Sequence, residues 1–358
     1  MLATANAWQE QTGVEIAWDK RSLQDFESFP VEELARAYDL IVIDHPHVGQ
    51  ITAEHCLLPL DVPGREAEAA ALAAGSVGQS YPSYNWQGRQ WALPIDAAAQ
   101  VMAYRADLLP EPPSDWEAVL GLARAGRVTV PLRTPHSLML VYTLMAGLGQ
   151  PCPSTGPDPL LVGETARTAI ERLRELVALL EPEDFSRDPI EASEQLAASD
   201  GKLAVMPYGY GYANYAVDGF RAHALRFADI PAVAGLGPTG SVLGGTGIAV
   251  SAFSANPEAA IAYAYWVASA ETQRGLYAAA GGQPGHAAAW DADSVNLPTH
   301  DFYRGTRRTL ELAYVRPRHN GYMAFQQAAA DRLGECLRAR ASATSIIADL
   351  NRLFEASR

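Results

Sequence analysis

Two histidines and an aspartate stand where a short apolar run ends, near the beginning of the chain. Residues 38–43 read as a buried strand of a parallel sheet, and Asp44, His45 and His47 follow it directly. On an extended segment, side chains two positions apart point the same way, so both imidazoles can reach one metal ion. Because no certain third or fourth ligand is present, we expect polar contacts to a bound molecule instead. An ordinary surface loop is the alternative.

Alternating tyrosines follow a second predicted strand, residues 201–207. They are Tyr208, Tyr210, Tyr212 and Tyr215. Tyrosine rings stack on the C–H faces of sugars while their hydroxyl groups bond to sugar hydroxyls. We expect two of the four to pack into the protein interior, and Tyr208 and Tyr210 to contact a solute. An aromatic cage with an acid nearby, which would hold a quaternary ammonium group, is a second interpretation.

Small residues make up the loop 243–247, whose sequence is Leu-Gly-Gly-Thr-Gly. Glycines let backbone amides approach another molecule closely, so Gly245 and Thr246 are candidate contacts. A short apolar strand and a helix that begins near Asn256 and Pro257 are predicted to follow and to hold the loop in place. The stretch 80–107 adds two further candidates, Tyr84 and Asp96.

Arg133 follows a predicted strand, 128–132, and His136 comes three positions later. A guanidinium group at a strand end can bind a carboxylate or sulfonate with two parallel hydrogen bonds. The alternative is an ion pair at the protein surface. Residues 316–319, Arg-Pro-Arg-His, leave the same two interpretations open.

Enzyme signatures are absent from the sequence. Residues 235–240 satisfy the glycine pattern of dinucleotide sites, but Pro238 lies inside the pattern and a strand is predicted to follow, so no helix N-terminus would face a pyrophosphate. There is no P-loop, no Gly-x-Ser-x-Gly and no zinc-protease helix signature. Asp44 and Asp96 alone are weak support for general acid–base chemistry. We therefore expect no catalytic residues, no cofactor and no metal site.

Composition limits the partners and the number of domains. The 358 residues are enough for two domains and a large core. With 27 basic and 41 acidic residues the net charge is −14, which would repel a nucleic acid. The three cysteines match no metal spacing and are expected to be buried as small apolar residues. The sequence contains no run of 18 apolar residues that would span a membrane and no visible signal peptide.

An ordered series of short motifs runs along most of the chain. It comprises Gln-Thr-Gly-Val-Glu-Ile at 11–16, Leu-Leu-Pro-Leu-Asp at 57–61, Gln-Trp-Ala-Leu-Pro at 90–94, Pro-Ser-Asp-Trp-Glu at 113–117, Gly-Lys-Leu-Ala-Val-Met at 201–206, Asn-Pro-Glu-Ala-Ala at 256–260 and Gly-Gly-Gln-Pro at 281–284. No single motif is decisive. In order and spacing the series resembles the sugar-binding group of extracellular solute-binding proteins, which serve ABC importers.

This resemblance implies an α/β fold of the periplasmic-binding-protein type (type II), with two lobes, hinge crossovers and a ligand cleft between the lobes. The first lobe would comprise residues 1–105 and 236–295, and the second 106–235 and 296–358. Two departures stand out. The family normally has a strand before its first helix, and the sugar group often carries tryptophan in the glycine loop, where this chain has Thr246. The second departure favours a small polar ligand.

The resemblance also implies a function. A monomeric, exported periplasmic protein would close its lobes on a small polar solute, such as a sugar or polyol, and deliver it to an ABC permease in the membrane. A binding protein for an organic acid or a quaternary amine remains an alternative. A cytoplasmic ligand sensor with the same fold is another, because no leader is visible. The identity of the solute lies beyond the sequence.

Overall fold

The computed structural model describes residues 1–20, 31–198 and 200–358. Within them the chain divides into two compact units. Unit 1 comprises Met1–Ala97 and Gly244–Val295, and unit 2 comprises Ala98–Leu243 and Asn296–Arg358. Two of the three boundaries, after Ala97 and before Gly244, lie eight residues away from the predicted positions 105 and 236. Residues 98–104 belong to unit 2 because they form a strand that pairs with two other strands of that unit.

The strands of the described residues are short. In chain order they are β1 (Leu40–Ile43), β2 (Leu57–Leu58), β3 (Asn85–Trp86), β4 (Arg89–Gln90), β5 (Leu93–Pro94), β6 (Ala98–Tyr104), β7 (Val205–Tyr210), β8 (Arg226–Ala228), β9 (Leu243–Gly244) and β10 (Gly247–Ser251).

The α-helices of the described residues are α1 (Leu2–Thr12), α2 (Val31–Ala37), α3 (Val48–Ala53), α4 (Glu66–Ala74), α5 (Trp116–Arg124), α6 (His136–Gly147), α7 (Gly163–Val177), α8 (Pro189–Ala198), α9 (Pro257–Ala268), α10 (Ala270–Thr272), α11 (Ala287–Trp290), α12 (Asp293–Asn296), α13 (Phe302–Glu311), α14 (Tyr322–Arg338) and α15 (Ala343–Ala356). Single turns of tighter helix include His45–His47, which follows β1.

In unit 1, β10 is the central strand of the sheet and pairs with β1, β2 and β5. All three pairings are antiparallel, and residues of β1 alternate between partly exposed and buried. The strand predicted at 38–43 forms over Leu40–Ile43, but the expectation that it belongs to a parallel sheet is wrong. A continuous apolar run indicates burial, but it does not determine the direction of the neighbouring strand. Residues 14–18, predicted as a strand, form no strand within the described chain.

The helix after β10 begins where the sequence predicts. Pro257 is the first residue of α9, and its fixed φ suits that position. Asn256 precedes it, but its side chain makes no capping hydrogen bond. Apolar side chains of α9 pack with those of β5 and β10 in the core of unit 1. This packing anchors the strand that carries the glycine-rich loop at its start.

In unit 2, β6 is the central strand and pairs with β7 and β8, again antiparallel. The helices α5, α6, α7, α14 and α15 contribute to one large apolar core. The predicted strand 128–132 is reduced to a bridge between Val128 and Val205. Strand β7 continues to Tyr210, whereas the sequence predicted an end at residue 207.

The three cysteines, Cys56, Cys152 and Cys336, are unpaired and buried, as predicted. Among the described residues, no helix combines the length and the apolar composition needed to cross a lipid bilayer.

Candidate functional site

In unit 1, polar residues collect at one end of the sheet, where β1 ends and β10 begins. Ile43, the last residue of β1, is paired with Gly247, the first residue of β10. The next residue after β1 is Asp44, and the residues before β10 are Gly245 and Thr246. The register of one antiparallel pair thus brings together two segments that are some 200 positions apart in the sequence.

Asp96 joins this group through backbone hydrogen bonds. Its amide donates to the Thr246 carbonyl at 3.1 Å, and the Thr246 amide donates to the Asp96 carbonyl at 3.1 Å. Gly245 has a φ of +88°, and a Cβ at this position would lie 2.4 Å from the Asp96 carbonyl oxygen. Only glycine fits so close to that backbone. Three predicted site residues, Asp96, Gly245 and Thr246, therefore form one rigid turn.

Tyr84 supports the turn from the inside. Only 2% of the residue is exposed, and its hydroxyl group donates to the Ile43 carbonyl at 3.2 Å. The same hydroxyl lies 3.5 Å from the Gly245 carbonyl. The predicted role of Tyr84 as a direct solute contact does not suit such a buried ring. Its bonds instead tie the end of β1 to the glycine-rich loop.

His45 and His47 lie on a turn of 3-10 helix and not on an extended segment, which corrects the sequence-based assumption. Side chains two positions apart in that helix point about 120° away from each other. Both residues are buried, and His45 Nδ1 lies 3.1 Å from Asp44 Oδ1. Within the described part of the chain, no group of three or more potential ligands is placed to hold a metal ion.

The carboxyl group of Asp96 stands out electrostatically. The residue as a whole is partly exposed, but its Oδ1 atom is buried and accepts no hydrogen bond from the described residues. Burial, together with the nearby negative charge of Asp44, raises the pKa of Asp96 to about 7. Both causes disfavour the carboxylate. A hydrogen-bond donor or a cation placed here would relieve this cost.

In unit 2, the predicted Arg133 is held by two acids. Its Nη1 atom donates to Glu191 Oε2 at 2.9 Å, and its Nη2 atom pairs with Asp188. The same two acids cap α8: the Asp188 amide donates to Glu191, and the Glu191 amide donates to Asp188, both at 2.8 Å. The arrangement matches the ion-pair interpretation. Sequence reasoning missed these partners, although Asp-x-x-Glu before a helix is a readable capping signal.

His136 is the first residue of α6 and is 8% exposed. Its ring meets that of Tyr210 edge-on, with 6.1 Å between the centroids. Burial lowers the pKa of His136 to about 4; nearby Asp188 opposes this shift, while Arg133 and Arg316 add to it. The imidazole is therefore neutral near pH 7, and its buried Nδ1 atom has no hydrogen-bond partner among the described residues. Tyr210 and His136, both predicted, do come together.

Tyr208 does not belong to this surface. It lies inside β7 and is fully buried, its hydroxyl group 3.3 Å from the Pro231 carbonyl and its ring against Trp116. The strand extends past Tyr208 and places its ring in the core, so the structure does not favour the predicted solute contact there. Tyr215 is also buried, whereas Tyr210 and Tyr212 are partly exposed. The expectation that two of the four tyrosines pack inside is confirmed.

Comparison with known protein families identifies the chain. The family model described as bacterial extracellular solute-binding protein matches residues 3–299. The chain belongs to this family. The resemblance inferred from the ordered motifs is thereby confirmed.

Solved structures of other solute-binding proteins share the fold at low sequence identity. A maltose-bound protein from T. maritima, MalE3, matches with a TM-score of 0.80 and 16% identity, over 98% of this chain and 93% of that one. A protein from Agrobacterium radiobacter K84, in complex with ribitol, matches with a TM-score of 0.81 and 18% identity, over 99% and 94%. A maltotriose-binding protein from Thermus thermophilus matches with a TM-score of 0.74 and 19% identity, over 99% and 95%. The predicted α/β fold of the periplasmic binding proteins is confirmed.

Proposed function

We propose that this protein binds a small polar solute, a sugar or a polyol, and delivers it to an ABC permease in the membrane. Membership of the solute-binding family supports the general role. Structural relatives with the same fold are described as bound to maltose, ribitol and maltotriose, which favours a carbohydrate-like solute. An exported, periplasmic location and a monomeric state are part of the same proposal. A net charge of −14 argues against a nucleic acid as a partner.

The observation that carries the proposal is the buried, unsatisfied Oδ1 atom of Asp96 beside the turn formed by Gly245 and Thr246. A buried polar atom without a partner costs about 1–3 kcal/mol. A donor from a bound solute would remove that cost, so the protein gains by binding one. The partial exposure of Asp96 leaves a path for the solute.

The residues take different roles in this proposal. Asp44, Asp96 and Thr246 contact the solute in unit 1, and Gly245 keeps the turn open to it. Tyr84 fixes the turn from below through its bonds to Ile43 and Gly245. The buried imidazoles of His45 and His47 shape the wall next to Asp44.

Unit 2 offers a second surface, formed by Tyr210, His136 and Arg133. Its partly exposed tyrosine and neutral imidazole are suited to hydroxyl groups. Arg133 is already paired with Asp188 and Glu191, so a solute anion would have to compete with two carboxylates. This competition argues against an organic acid as the solute.

The solute is released unchanged in this proposal, and no cofactor or metal takes part. Binding alone accounts for the residues present.

A thermal-shift screen of the purified chain with maltose, maltotriose, ribitol and other sugars and polyols tests the proposal. A solute at 100 times its dissociation constant should add about 2.7 kcal/mol to the free energy of unfolding. Asp96→Asn should reduce the shift. The matched control, Glu10→Gln, removes one negative charge from the exposed face of α1 and should retain it. A panel in which no compound stabilises the protein would contradict the proposal.

A further inference from the structure

The backbone of Asp96 has two neighbours in unit 1. The first is the glycine-rich loop, with which it exchanges hydrogen bonds. The second is the turn at residues 283–285, where Asp96 forms an antiparallel bridge with Pro284. This turn packs tightly, because a Cβ at Gly285 would lie 3.0 Å from the Pro94 carbonyl oxygen. The position of the 283–285 turn therefore limits the position of Asp96.

A buried glutamine holds the 283–285 turn in place. Gln273 is the first residue of a single π-helical turn, Gln273–Tyr277, and none of its surface is exposed. Its Oε1 atom accepts a hydrogen bond from the Gly285 amide at 2.7 Å, and its Nε2 atom donates to the Val267 carbonyl at 2.9 Å. Val267 belongs to α9, which packs with β5 and β10 in the core of unit 1. The amide of Gln273 thus ties the turn to this core.

A second side chain fixes the same turn, and the turn offers Asp96 few donors. Trp290 is buried, and its Nε1 atom donates to the Pro284 carbonyl at 2.7 Å. Pro284 has no N–H group, and the N–H group of Gly285 is already bound to Gln273. Neither residue can therefore donate a backbone hydrogen bond to the carboxyl group of Asp96, whose Oδ1 atom has no partner among the described residues.

We propose that Gln273 is a positioning residue of the solute site: it fixes the 283–285 turn, and through this turn Asp96, without touching the solute. The inference rests on the proposed function and adds to it a residue outside the binding surface. Groups that contact a ligand need a supporting layer that holds them in the productive geometry. Removal of the Gln273 amide leaves the Gly285 N–H group without its partner, so the turn is free to shift. Asp96 then loses the support of one of its two neighbours.

Isothermal titration calorimetry tests the inference, with the compound from the panel of maltose, maltotriose, ribitol and related sugars that gives the largest thermal shift. Gln273→Met keeps the length of the side chain and removes both hydrogen bonds, and we expect it to lower the affinity about tenfold or more. Gln90→Met is the matched control. Gln90 is a buried glutamine of unit 1 with two bonds of 2.9 Å, to the Tyr81 and Ala92 carbonyls, and none to the 283–285 turn. It should change the affinity by no more than about twofold.

A measurement without ligand separates positioning of Asp96 from a general loss of stability. Asp96 makes the free energy of unfolding depend on pH between pH 4 and pH 8, and Asp96→Asn removes this dependence. In the Gln273→Met background, the difference between Asp96 and Asp96→Asn should shrink by about half or more, because a displaced carboxyl group reaches water. In the Gln90→Met background it should be unchanged.

Thermal unfolding of each unliganded variant shows whether it is folded. Trp290→Phe removes only the bond to the Pro284 carbonyl and should lower the affinity several-fold, so it provides the same test if Gln273→Met does not fold. If these variants bind the solute as tightly as the wild type, or leave the pH dependence from Asp96 unchanged, the inference is wrong while the proposed function stands. If no compound of the panel binds the wild type, both are wrong.

Discussion

Each of the two units holds a titratable group with one buried atom that has no hydrogen-bond partner among the described residues, but the two groups are of opposite kind. In unit 1 it is an acid, Asp96, and in unit 2 it is a base, His136. Burial is the main cause of both shifts: it raises the pKa of Asp96 to about 7 and lowers the pKa of His136 to about 4. Burial thus favours the uncharged form in each case, whatever the sign of the charge.

The neighbours of the two groups explain what each can bind. Burial, together with the negative charge of Asp44, raises the pKa of Asp96. His136 lies near Arg133 and Arg316, which carry positive charge, but also near Asp188, so its surroundings are mixed. A buried group without a hydrogen-bond partner therefore does not by itself define the ligand. The charges around the group decide whether the ligand is a cation, an anion or a neutral molecule.

The largest expected effect concerns the turn that holds Asp96. Gly245→Ala would place a methyl group 2.4 Å from the Asp96 carbonyl and force alanine to a φ of +88°. We expect a loss of about 3 kcal/mol or more in the stability of unit 1, from strain and overpacking together, with loss of solute binding. Hydrogen exchange measured by mass spectrometry should show faster exchange in unit 1 peptides.

Gly64→Ala is the matched control, because Gly64 has the same φ of +88° but no atom within 4 Å of its Cβ position. It should cost only about 1 kcal/mol and leave binding intact. Equal effects of the two substitutions would show that backbone strain, and not the contact with Asp96, is what matters at Gly245.

The next largest effect is the pH dependence of stability that Asp96 causes. Because the pKa of Asp96 is raised in the folded state, its stabilising contribution is complete below the unfolded value of 3.8 and is lost as the pH rises through about 7. The free energy of unfolding of the wild type, relative to Asp96→Asn, should fall by roughly 2–3 kcal/mol between pH 4 and pH 8. Chemical denaturation across this range measures it. A flat difference would mean that Asp96 titrates normally.

His136 should change the free energy of unfolding with pH in the opposite direction. Its pKa is lowered in the folded state, so its contribution is complete above the unfolded value of 6.5 and is lost as the pH falls through about 4. The free energy of unfolding of the wild type, relative to His136→Phe, should rise by on the order of 2 kcal/mol between pH 4 and pH 7. Hydrogen exchange in unit 2 peptides gives the readout. A slope of the same sign as that of Asp96 would remove the contrast between the units.

The smallest effects separate the two tyrosines of β7. Tyr208→Phe removes a buried hydroxyl group next to the Pro231 carbonyl and should cost about 1 kcal/mol of stability without changing solute affinity. Tyr210→Phe keeps the ring beside His136, removes the hydroxyl group, and should lower the affinity for the solute several-fold with little change in stability. Calorimetry measures the solute affinity of both variants. A loss of affinity in Tyr208→Phe but not in Tyr210→Phe would show that Tyr208, and not Tyr210, contacts the solute.

Local signals in the sequence predicted several features correctly. Pro257 after Asn256 identified the start of α9, and the glycines at 243–247 predicted a loop, in which Gly245 adopts a φ of +88°. Both signals depend on the conformational limits of proline and glycine, which act within a few residues. The order of motifs identified the family, because many weak signals in a fixed order reinforce each other.

Features that depend on distant neighbours were not predictable. β1 runs antiparallel to β10, which lies about 200 residues later in the chain. An apolar run does not indicate whether its neighbouring strand is parallel or antiparallel. The predicted strand ended at residue 207, yet β7 continues through Gly209, where a Cβ would come 2.5 Å from the Met206 sulfur. That misreading placed Tyr208 outside the strand. The unsatisfied state of Asp96 likewise follows from the tertiary structure and not from its local sequence.

Equilibrium dialysis shows whether this protein holds a carbohydrate-like solute without transforming it. The purified chain is incubated with each member of the sugar and polyol panel, bound and free compound are separated by equilibrium dialysis, and both fractions are analysed by mass spectrometry. We expect at least one compound to bind saturably at one site per chain and to be recovered with its mass unchanged. Recovery of a chemically altered compound, or no saturable binding of any member, would contradict it.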